Sequence, residues 1–581
     1  MPVDYAGNSL DKARKLDINS NAQSFTDRVD NLDLNDFYSF NLNSRSSFHL
    51  QLDRLKADAD VQLIRDANNN GQFDQGEVLS ASTHSGKQAE SINEILGTGS
   101  YYIRVYPEGN AKTNYKLTVW ATPFDDATST IISTSAGLPI NPTSVNVNAA
   151  IIAPTSSANN TNIVAGTLRA NTFNYQSGFN RTIYIGNGNV DYGSGALDLL
   201  NLSQFASTSV TTNYADSLKG GVVYNTGNGN RLYDAITLSD GSEILFQGIG
   251  RIQFQDETVN LSVTPNDRLF DQQWNLHITG VNDAWRFTQG NDRVAIGIAD
   301  TGLGANSTGI HPDLRSTTFV ANNYFDESAT FSHGTRVEGT IAAASNNGVG
   351  IAGINWNSPV QMIDVVGGDS GDYDLVQATQ TLINGAGDRK LVINLSLSGG
   401  SSPAFEKLIA DNKDKVLFVI AAGNQDLSTI ASPASLAQTN NNVVAVGSSW
   451  GTKDWYGNLI TPGQRVSYAG WWGSNTGLGL TLTAPSEFVA TSATRANSSA
   501  TYEFGYYDHF NGTSASTAVV TGIASLVWSV NPNLTAGQIK SILSETAYDL
   551  GAAGYDTVYG SGLVNADAAV RRAEALDRGF A

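Results

Sequence analysis

"FNGTSASTAVVTGIASLVW", residues 510–528, decides how the second half of the chain is read. Gly512 suits a tight turn, Ser514 follows it, and the small and apolar residues beyond read as a closely packed helix. Upstream, "RVAIGIADTG" (293–302) is an apolar strand run ending in Asp300, and "KVLFVIAAGN" (415–424) is another ending in Asn424. "SHGTRVEGTIAAAS" (332–345) opens a helical pattern at His333. Strands alternating with helices predict a mainly parallel sheet covered on both faces. Sites on such sheets lie at the carboxyl ends of the strands, where Asp300 and Asn424 fall. Singly the motifs are weak. A D-T-G after a strand is often a capped turn, an H-G-T a helix start, and Ser514 an N-cap.

Together, in the order Asp…His…Ser, these residues resemble the subtilisin-like serine proteases. The resemblance extends from "PNDRLFDQQWNLHITGVNDAW" (265–285) to "YDTVYGSGLVNADAAV" (555–570), roughly the last half of the chain. It implies an α/β subtilisin-like domain over 264–581 and a serine endopeptidase acting on protein or peptide substrates through an acyl-enzyme. In that reading Ser514 is the nucleophile, His333 the base and Asp300 the group that orients the imidazole. The Asn424 amide and the Ser514 N–H would donate to the oxyanion. An extended substrate would pair with Ser396, Leu397, Ser398, Gly399 and Gly400 as an added strand. Two positions depart from the family pattern: Thr517 stands where proline is common and Glu338 where alanine is usual. Neither is in the triad, so an active enzyme is expected. "HGTR" and "GTSAS" lean toward the kexin branch, which cuts after basic residues, although "SGGSSPAF" lacks the acid found there in kexins. Asp426 is the candidate substitute, with an ordinary surface-loop residue as the alternative. The domain order is also similar to that of cyanobacterial calcium-dependent proteases, which points to Arg or Lys before the cut.

Calcium is expected at two places. The family resemblance implies a site formed by side chains of Asp267, Asp313 and Asn347 and backbone carbonyls of Ala344, Val349 and Ile351, around "ASNNGVGI" (344–351). Hard oxygen ligands of this kind suit Ca²⁺. A second candidate is "RDANNNGQFDQGE" (65–77), which has the register of an EF-hand loop. There Asp66, Asn68, Asn70, Gln72 and Asp74 offer oxygens, Gly71 the turn and Glu77 a bidentate carboxylate. The flanks of this loop read as strands, so it is predicted to join a hairpin. A plain Asn/Asp/Gly turn is the alternative at both places.

Residues 1–122 read as an all-β sandwich from runs such as "FYSFNL", "VQLIR" and "YYIRVY". They resemble the bacterial pre-peptidase C-terminal domain. Residues 123–158 are Ser/Thr/Pro/Asn-rich and read as a linker. Residues 159–263 are β-rich, with Gly-Asn-Gly-Asn at 186–189 and again at 227–230. They are similar to segments bordering Gly/Asp-rich calcium repeats, with ordinary Asn-Gly hairpin turns as the equal alternative. No short inhibitory propeptide of the usual type is recognisable, and 159–263 is the segment left for that role.

Composition sets the outer limits. The 581 residues call for several domains. With 34 Lys and Arg against 54 Asp and Glu, the net charge of −20 argues against a nucleic-acid partner. The absence of cysteine excludes disulfides and thiolate chemistry. No apolar run has the length of a membrane span, and the start carries no signal-peptide segment. The expectation is an intracellular protein, with the periplasm or secretion as alternatives. A calcium-binding adhesion or scaffold protein with a decayed protease domain is the rival function.

Overall fold

Alternation of apolar and polar residues becomes strand structure throughout the first part of the chain. In Gly99–Pro107 the side chains of Tyr101, Ile103 and Val105 are buried, while those between them are more open. The computed structural model describes residues 5–580 apart from 20–21, 32, 44–45, 67–70, 74–76, 84–85, 97–98, 110, 124–150, 153–159, 307–308, 315–331, 367–373, 469–470 and 496–501. The chain divides into two compact units, Met1–Thr143 and Ser144–Ala581.

The first unit is a two-sheet sandwich. One sheet runs in the order Arg14–Lys15, Asp36–Leu42, Gly99–Pro107, Ala59–Ile64, Val78–Ser82, and the other Gln23–Val29, Thr113–Pro123, Ser46–Asp53, Glu90–Leu96. Tyr38, Phe40 and Ile103 from one face and Phe48, Leu50, Leu117 and Val119 from the other form a single core. The two sheets also meet through Tyr115, whose hydroxyl bonds Tyr38 and Asp36 inside that core. The loop 65–77 joins the antiparallel strands Ala59–Ile64 and Val78–Ser82, which is the predicted hairpin.

The second unit begins with a parallel stack. Strands Thr161–Ala165, Arg181–Ile185 and Glu243–Gln247 align in register. Thr172–Asn174, Leu199–Leu202 and Arg251–Phe254 align in the same way in a second sheet. The chain passes from the first sheet to the second three times and returns between passes, and Phe173, Tyr184, Leu200, Phe246 and Ile252 fill the space between the sheets. A Cβ on Gly186 would lie 1.9 Å from the Gly248 carbonyl oxygen, so this corner admits only glycine. The two Gly-Asn-Gly-Asn repeats take different places. Residues 186–189 follow a strand of the parallel stack, whereas 227–230 close an antiparallel hairpin between Val222–Asn225 and Asn230–Thr237. Within the stretch read as a linker, Ile151–Ile152 pairs with Val222–Val223. Nearly all the rest of that stretch lies outside the described residues.

The remainder is an α/β domain with six parallel strands. In chain order they are β1 (Val294–Asp300), β2 (Val360–Asp364), β3 (Lys390–Leu395), β4 (Val416–Ala421), β5 (Val443–Ser449) and β6 (Leu482–Pro485), arranged β2-β1-β3-β4-β5-β6. The central strands are apolar on both sides because both faces are covered. Val294, Ile296, Ile298, Val392, Leu417 and Val419 face α1 (His333–Ala342) and α4 (Gly512–Val530). Ala295, Ala299, Ile393, Leu395, Phe418 and Ile420 face α2 (Leu375–Ala386) and α3 (Pro403–Asp411). Two further helices, α5 (Ala536–Glu545) and α6 (Ala566–Asp577), join the first layer. Among the described residues α4 is the one helix long and apolar enough to cross a membrane, and 89% of its apolar window is buried inside the unit.

A buried ion network joins the stack to the α/β domain. Asp234, on strand Asn230–Thr237, accepts from Arg286 (2.8 and 3.0 Å) and from Arg571 of α6 (2.8 Å). Arg571 also donates to Asp567 at 2.8 Å, and Asp567 accepts from the Gly248 amide at 3.0 Å. Burial alone would raise the Asp234 pKa, but the two guanidinium groups hold it below the usual carboxylate value. Removing one partner leaves a buried charge uncompensated. Arg571→Met is therefore expected to destabilise the second unit by about 3–5 kcal/mol. The pair Arg571→Met with Asp234→Asn should cost less than the sum of the single changes. Denaturant melts of the three variants check this.

Candidate active site

Strand order sets out the site. Along the carboxyl edge of the sheet, β1 ends in Asp300, β3 leads into Ser396, β4 into Asn424, β5 into Trp450 and β6 into Ser486 and Glu487. Helices α1 and α4, which pack on the same face, begin at this edge with His333 and Gly512.

Asp300 is buried, and its Oδ1 lies 2.6 Å from His333 Nδ1. The same oxygen accepts from the Thr301 amide at 2.8 Å. Two further bonds staple the Asp300 loop to α1. The Gly334 amide donates to Thr301 Oγ1 (2.9 Å), and the Gly304 amide to Thr335 Oγ1 (3.0 Å). A Cβ on Gly334 would meet the Gly302 carbonyl oxygen at 2.1 Å, so the glycine after His333 is required by contact. The His333 ring packs edge-on against Phe510 with centroids 5.9 Å apart.

Ser514 lies in the first turn of α4, and its hydroxyl donates to the Ser396 carbonyl at 3.0 Å. Ser396 returns a bond from its Oγ to the Ser514 carbonyl, also at 3.0 Å. Asn424 Oδ1 accepts from the Thr513 amide and hydroxyl at 2.9 and 3.0 Å. That commits the amide oxygen and presents Nδ2 as the donor. Gly512 has φ 78° and its amide donates to Ser486 Oγ, which sets the turn before the nucleophile position. The structure thus brings Asp300, His333, Asn424 and Ser514 to one edge, and adds Thr301, Thr335 and Thr513 as supports. The sequence reading missed these three, although each threonine stands beside a motif residue. Of the departures, Thr517 Oγ1 bonds the Thr513 carbonyl one turn back, so α4 accommodates it, and Glu338 is buried in α1.

Ser398, Gly399 and Gly400 are exposed beside this group, Leu397 is half-buried and Ser396 is buried. Gly399 and Gly400 donate to the Ser432 carbonyl at 3.2 and 3.3 Å. Asp426 is held elsewhere: Oδ1 accepts from Arg465 at 2.8 Å and from Ser467 at 2.9 Å.

The residues expected to bind a cation around 344–351 do converge. Asp267 accepts from the Asn346 and Asn347 amides (2.8 and 3.2 Å). Asp313 accepts from the Ile351 amide (2.9 Å), Asn347 Nδ2 (3.2 Å) and the Tyr506 hydroxyl (3.1 Å). The Ala344 amide donates to the Asp313 carbonyl, and the Val349 amide to Asn347 Oδ1. Burial pushes both carboxyls up, and the charge of Asp267 adds to the rise at Asp313. Two buried like charges beside an amide and backbone carbonyls form an oxygen-rich set that a divalent cation would neutralise. In the 65–77 loop, Asp66 accepts from the Gly71 amide at 2.9 Å, Gln72 is exposed and Glu77 is buried. Asn68, Asn70 and Asp74 lie outside the described residues.

Comparison with known proteins agrees with this arrangement. Residues 34–107 match the bacterial pre-peptidase C-terminal domain model. The chain is 28% identical over 366 residues to an extracellular protease of Xanthomonas campestris pv. campestris, covering 55% of this chain and 58% of that protein. It is 34% identical over 283 residues to an alkaline protease of Alkalihalobacillus alcalophilus, covering 48% of this chain and 64% of that protein. Over 283 residues it is 34% identical to Subtilisin BL of Lederbergia lenta, covering 48% of this chain and 91% of that protein. The chain thus spans about six-tenths of the length of the first two relatives. The Subtilase family model matches residues 291–562, a span enclosing Asp300, His333, Asn424 and Ser514, and the chain belongs to the subtilase family.

Proposed function

We propose that the chain is a calcium-dependent serine endopeptidase that cleaves peptide bonds through Asp300, His333 and Ser514, with Arg or Lys preferred before the cut. The observation that carries this reading is the 2.6 Å Asp300–His333 bond at the same sheet edge as Ser514 and the donor amide of Asn424. His333 Nε2 takes the Ser514 proton as Oγ attacks the carbonyl carbon, and Asp300 stabilises the imidazolium. Asn424 Nδ2 and the Ser514 N–H bind the oxyanion; one such donor is worth about 10²–10³ in turnover. The C–N bond then breaks, the amine leaves with the proton from His333, and water repeats the sequence on the acyl-enzyme. An extended substrate beside Ser396–Gly400 would compete through its N–H groups for the Ser396 carbonyl. Losing that acceptor would turn the Ser514 hydroxyl toward His333.

Calcium would be held by Asp267, Asp313 and Asn347 with the carbonyls of Ala344, Val349 and Ile351. When bound it supplies the positive charge that these buried carboxylates lack. The 65–77 loop, through Asp66, Asn68, Asn70, Gln72, Asp74 and Glu77, is the second proposed site. The kexin-leaning "HGTR" and the similarity to cyanobacterial calcium-dependent proteases support the basic preference, with Asp426 its acid. The Asp426–Arg465 ion pair favours a second reading, in which the acyl-side pocket takes apolar residues.

Three outcomes test this. A fluorophosphonate is expected to label Ser514, and Ser514→Ala to lose labelling and peptide hydrolysis with the melting temperature kept. A folded wild type that neither labels nor cleaves would instead be the scaffold protein of the rival reading. Asp426→Asn is expected to lower the ratio of Arg to Leu cleavage, and an unchanged ratio assigns Asp426 to its ion pair alone. Asp313→Ala is expected to lower melting temperature and turnover together, with poor rescue by excess calcium, while Asp66→Ala and Glu77→Ala leave small-peptide turnover nearly intact. An ion at about a hundredfold excess over its dissociation constant stabilises by about 2.7 kcal/mol, which melts across a calcium titration resolve.

A further inference from the structure

Beyond Asn424, the sheet edge carries a buried acid that the triad does not use. Glu487 follows β6 with φ 68°, a left-handed conformation that costs a residue with a side chain. Its backbone is fixed there: its amide donates to the Phe510 carbonyl and its own carbonyl accepts from Trp274 Nε1, both at 2.9 Å. Its side chain is 7% exposed, and the Trp455 and Asn511 side chains are the neutral donors that face its carboxylate. The His509 imidazole lies close by, with Nδ1 3.8 Å from the carboxylate and its side chain 60% exposed. A buried carboxylate met only by neutral donors and one exposed imidazole lacks a full counter-charge, and proteins commonly keep such a group where a ligand completes it. Burial pushes this carboxyl up to about 7, with Trp455 and Asn511 opposing the rise.

The surroundings suit a cation. Trp455 stacks on Tyr468 (4.8 Å) and meets Trp472 at 4.4 Å, and Trp471 stacks on Tyr468 while itself 62% exposed. Four of the chain's nine tryptophans fall between positions 450 and 472. Aromatic faces attract ammonium and guanidinium groups, and more so when these are desolvated. The cluster is continuous with the reacting centre, because the Gly473 amide donates to the Asn424 carbonyl at 3.1 Å and Asn511 precedes Gly512 and the nucleophile turn. It also lies on a defined side. The strip 396–400 follows β3, Asn424 follows β4, and the aromatic segment and Glu487 follow β5 and β6. A chain paired with 396–400 on its acyl side runs past Asn424 toward Glu487 on its leaving side.

We infer that Glu487 and the aromatic wall of Trp455, Tyr468 and Trp472 form a subsite for a lysine or arginine side chain on the leaving-group side of the scissile bond. This rests on the peptidase reading above, but it is separate from any preference before the cut. The test uses the full chain and quenched-fluorescence peptides with a constant acyl half. Lys, Arg, Leu or Glu is placed at the first two positions after the cut, near pH 8 so that Glu487 is ionised. The wild type is expected to favour Lys and Arg over Leu by roughly tenfold in kcat/KM, and Glu487→Gln to bring that ratio near one. A wild-type ratio near one overturns the subsite, and this measurement decides even where Glu487→Gln fails to fold. A ratio unchanged in a folded Glu487→Gln overturns the assignment to Glu487. No cleavage of any peptide by the wild type overturns the peptidase reading and this one with it.

Discussion

Covering a parallel sheet on both faces leaves its polar chemistry one place to go. Each of β1, β3 and β4 sends successive side chains into opposite apolar layers, so no polar side chain fits within the strands without a partner. The carboxyl edge is where the chain leaves this environment. The candidate residues that follow the strands stand there, in an order fixed by the sheet: Asp300, Ser396, Asn424, Glu487. The spatial order differs from the chain order only at β1 and β2, and that exchange sets Asp300 directly beside the strip that follows β3. Helices α1 and α4 then bring His333 and Ser514 to the same edge because their apolar faces pack on the same side of the sheet.

Hydrogen bonds between backbone and small side chains hold this edge together. Thr301 and Thr335 exchange bonds between the Asp300 loop and α1, Thr513 fixes the Asn424 amide, and Ser396 and Ser514 bond each other twice. The partners come from different elements, so the geometry rests on the whole sheet. Glycines complete the arrangement: a methyl group at Gly334 would collide with the Gly302 carbonyl, and Gly512 lies against the Asn424 amide.

Much of the fold was legible because the period of the apolar residues changes along the chain. Alternation marked the sandwich strands, and continuous apolar runs ending in Asp300 and Asn424 marked strands buried on both sides. The motif residues were legible because Asp300 and Asn424 close such runs while His333 and Ser514 stand where helical patterns open. Long-range facts were not. The Asp426–Arg465 pair spans 39 positions and the Ser396–Ser514 bonds span 118, and neither leaves a local signal. The two Gly-Asn-Gly-Asn repeats are identical as strings, yet one is a hairpin turn and the other a corner of a parallel stack. Their difference lies in the direction of the next strand. Glu487 was invisible for another reason: what distinguishes it is its burial beside an aromatic cluster, which only three-dimensional structure reveals.

The Asp234–Arg286–Arg571 network bears on the order in which this protein can be completed. Asp234 precedes Arg571 by 337 positions, and the last helix supplies one of its two guanidinium partners. A nascent chain that has emerged only as far as β6 already holds the parallel stack, Asp300 and His333, but one of its buried charges has half its neutralisation. The stack can reach its final seat only after α6 has been synthesised. Ser514 and the helix that carries it are made before that point. Closure of the unit therefore waits for α6, which lies beyond Ser514 and its helix in the chain.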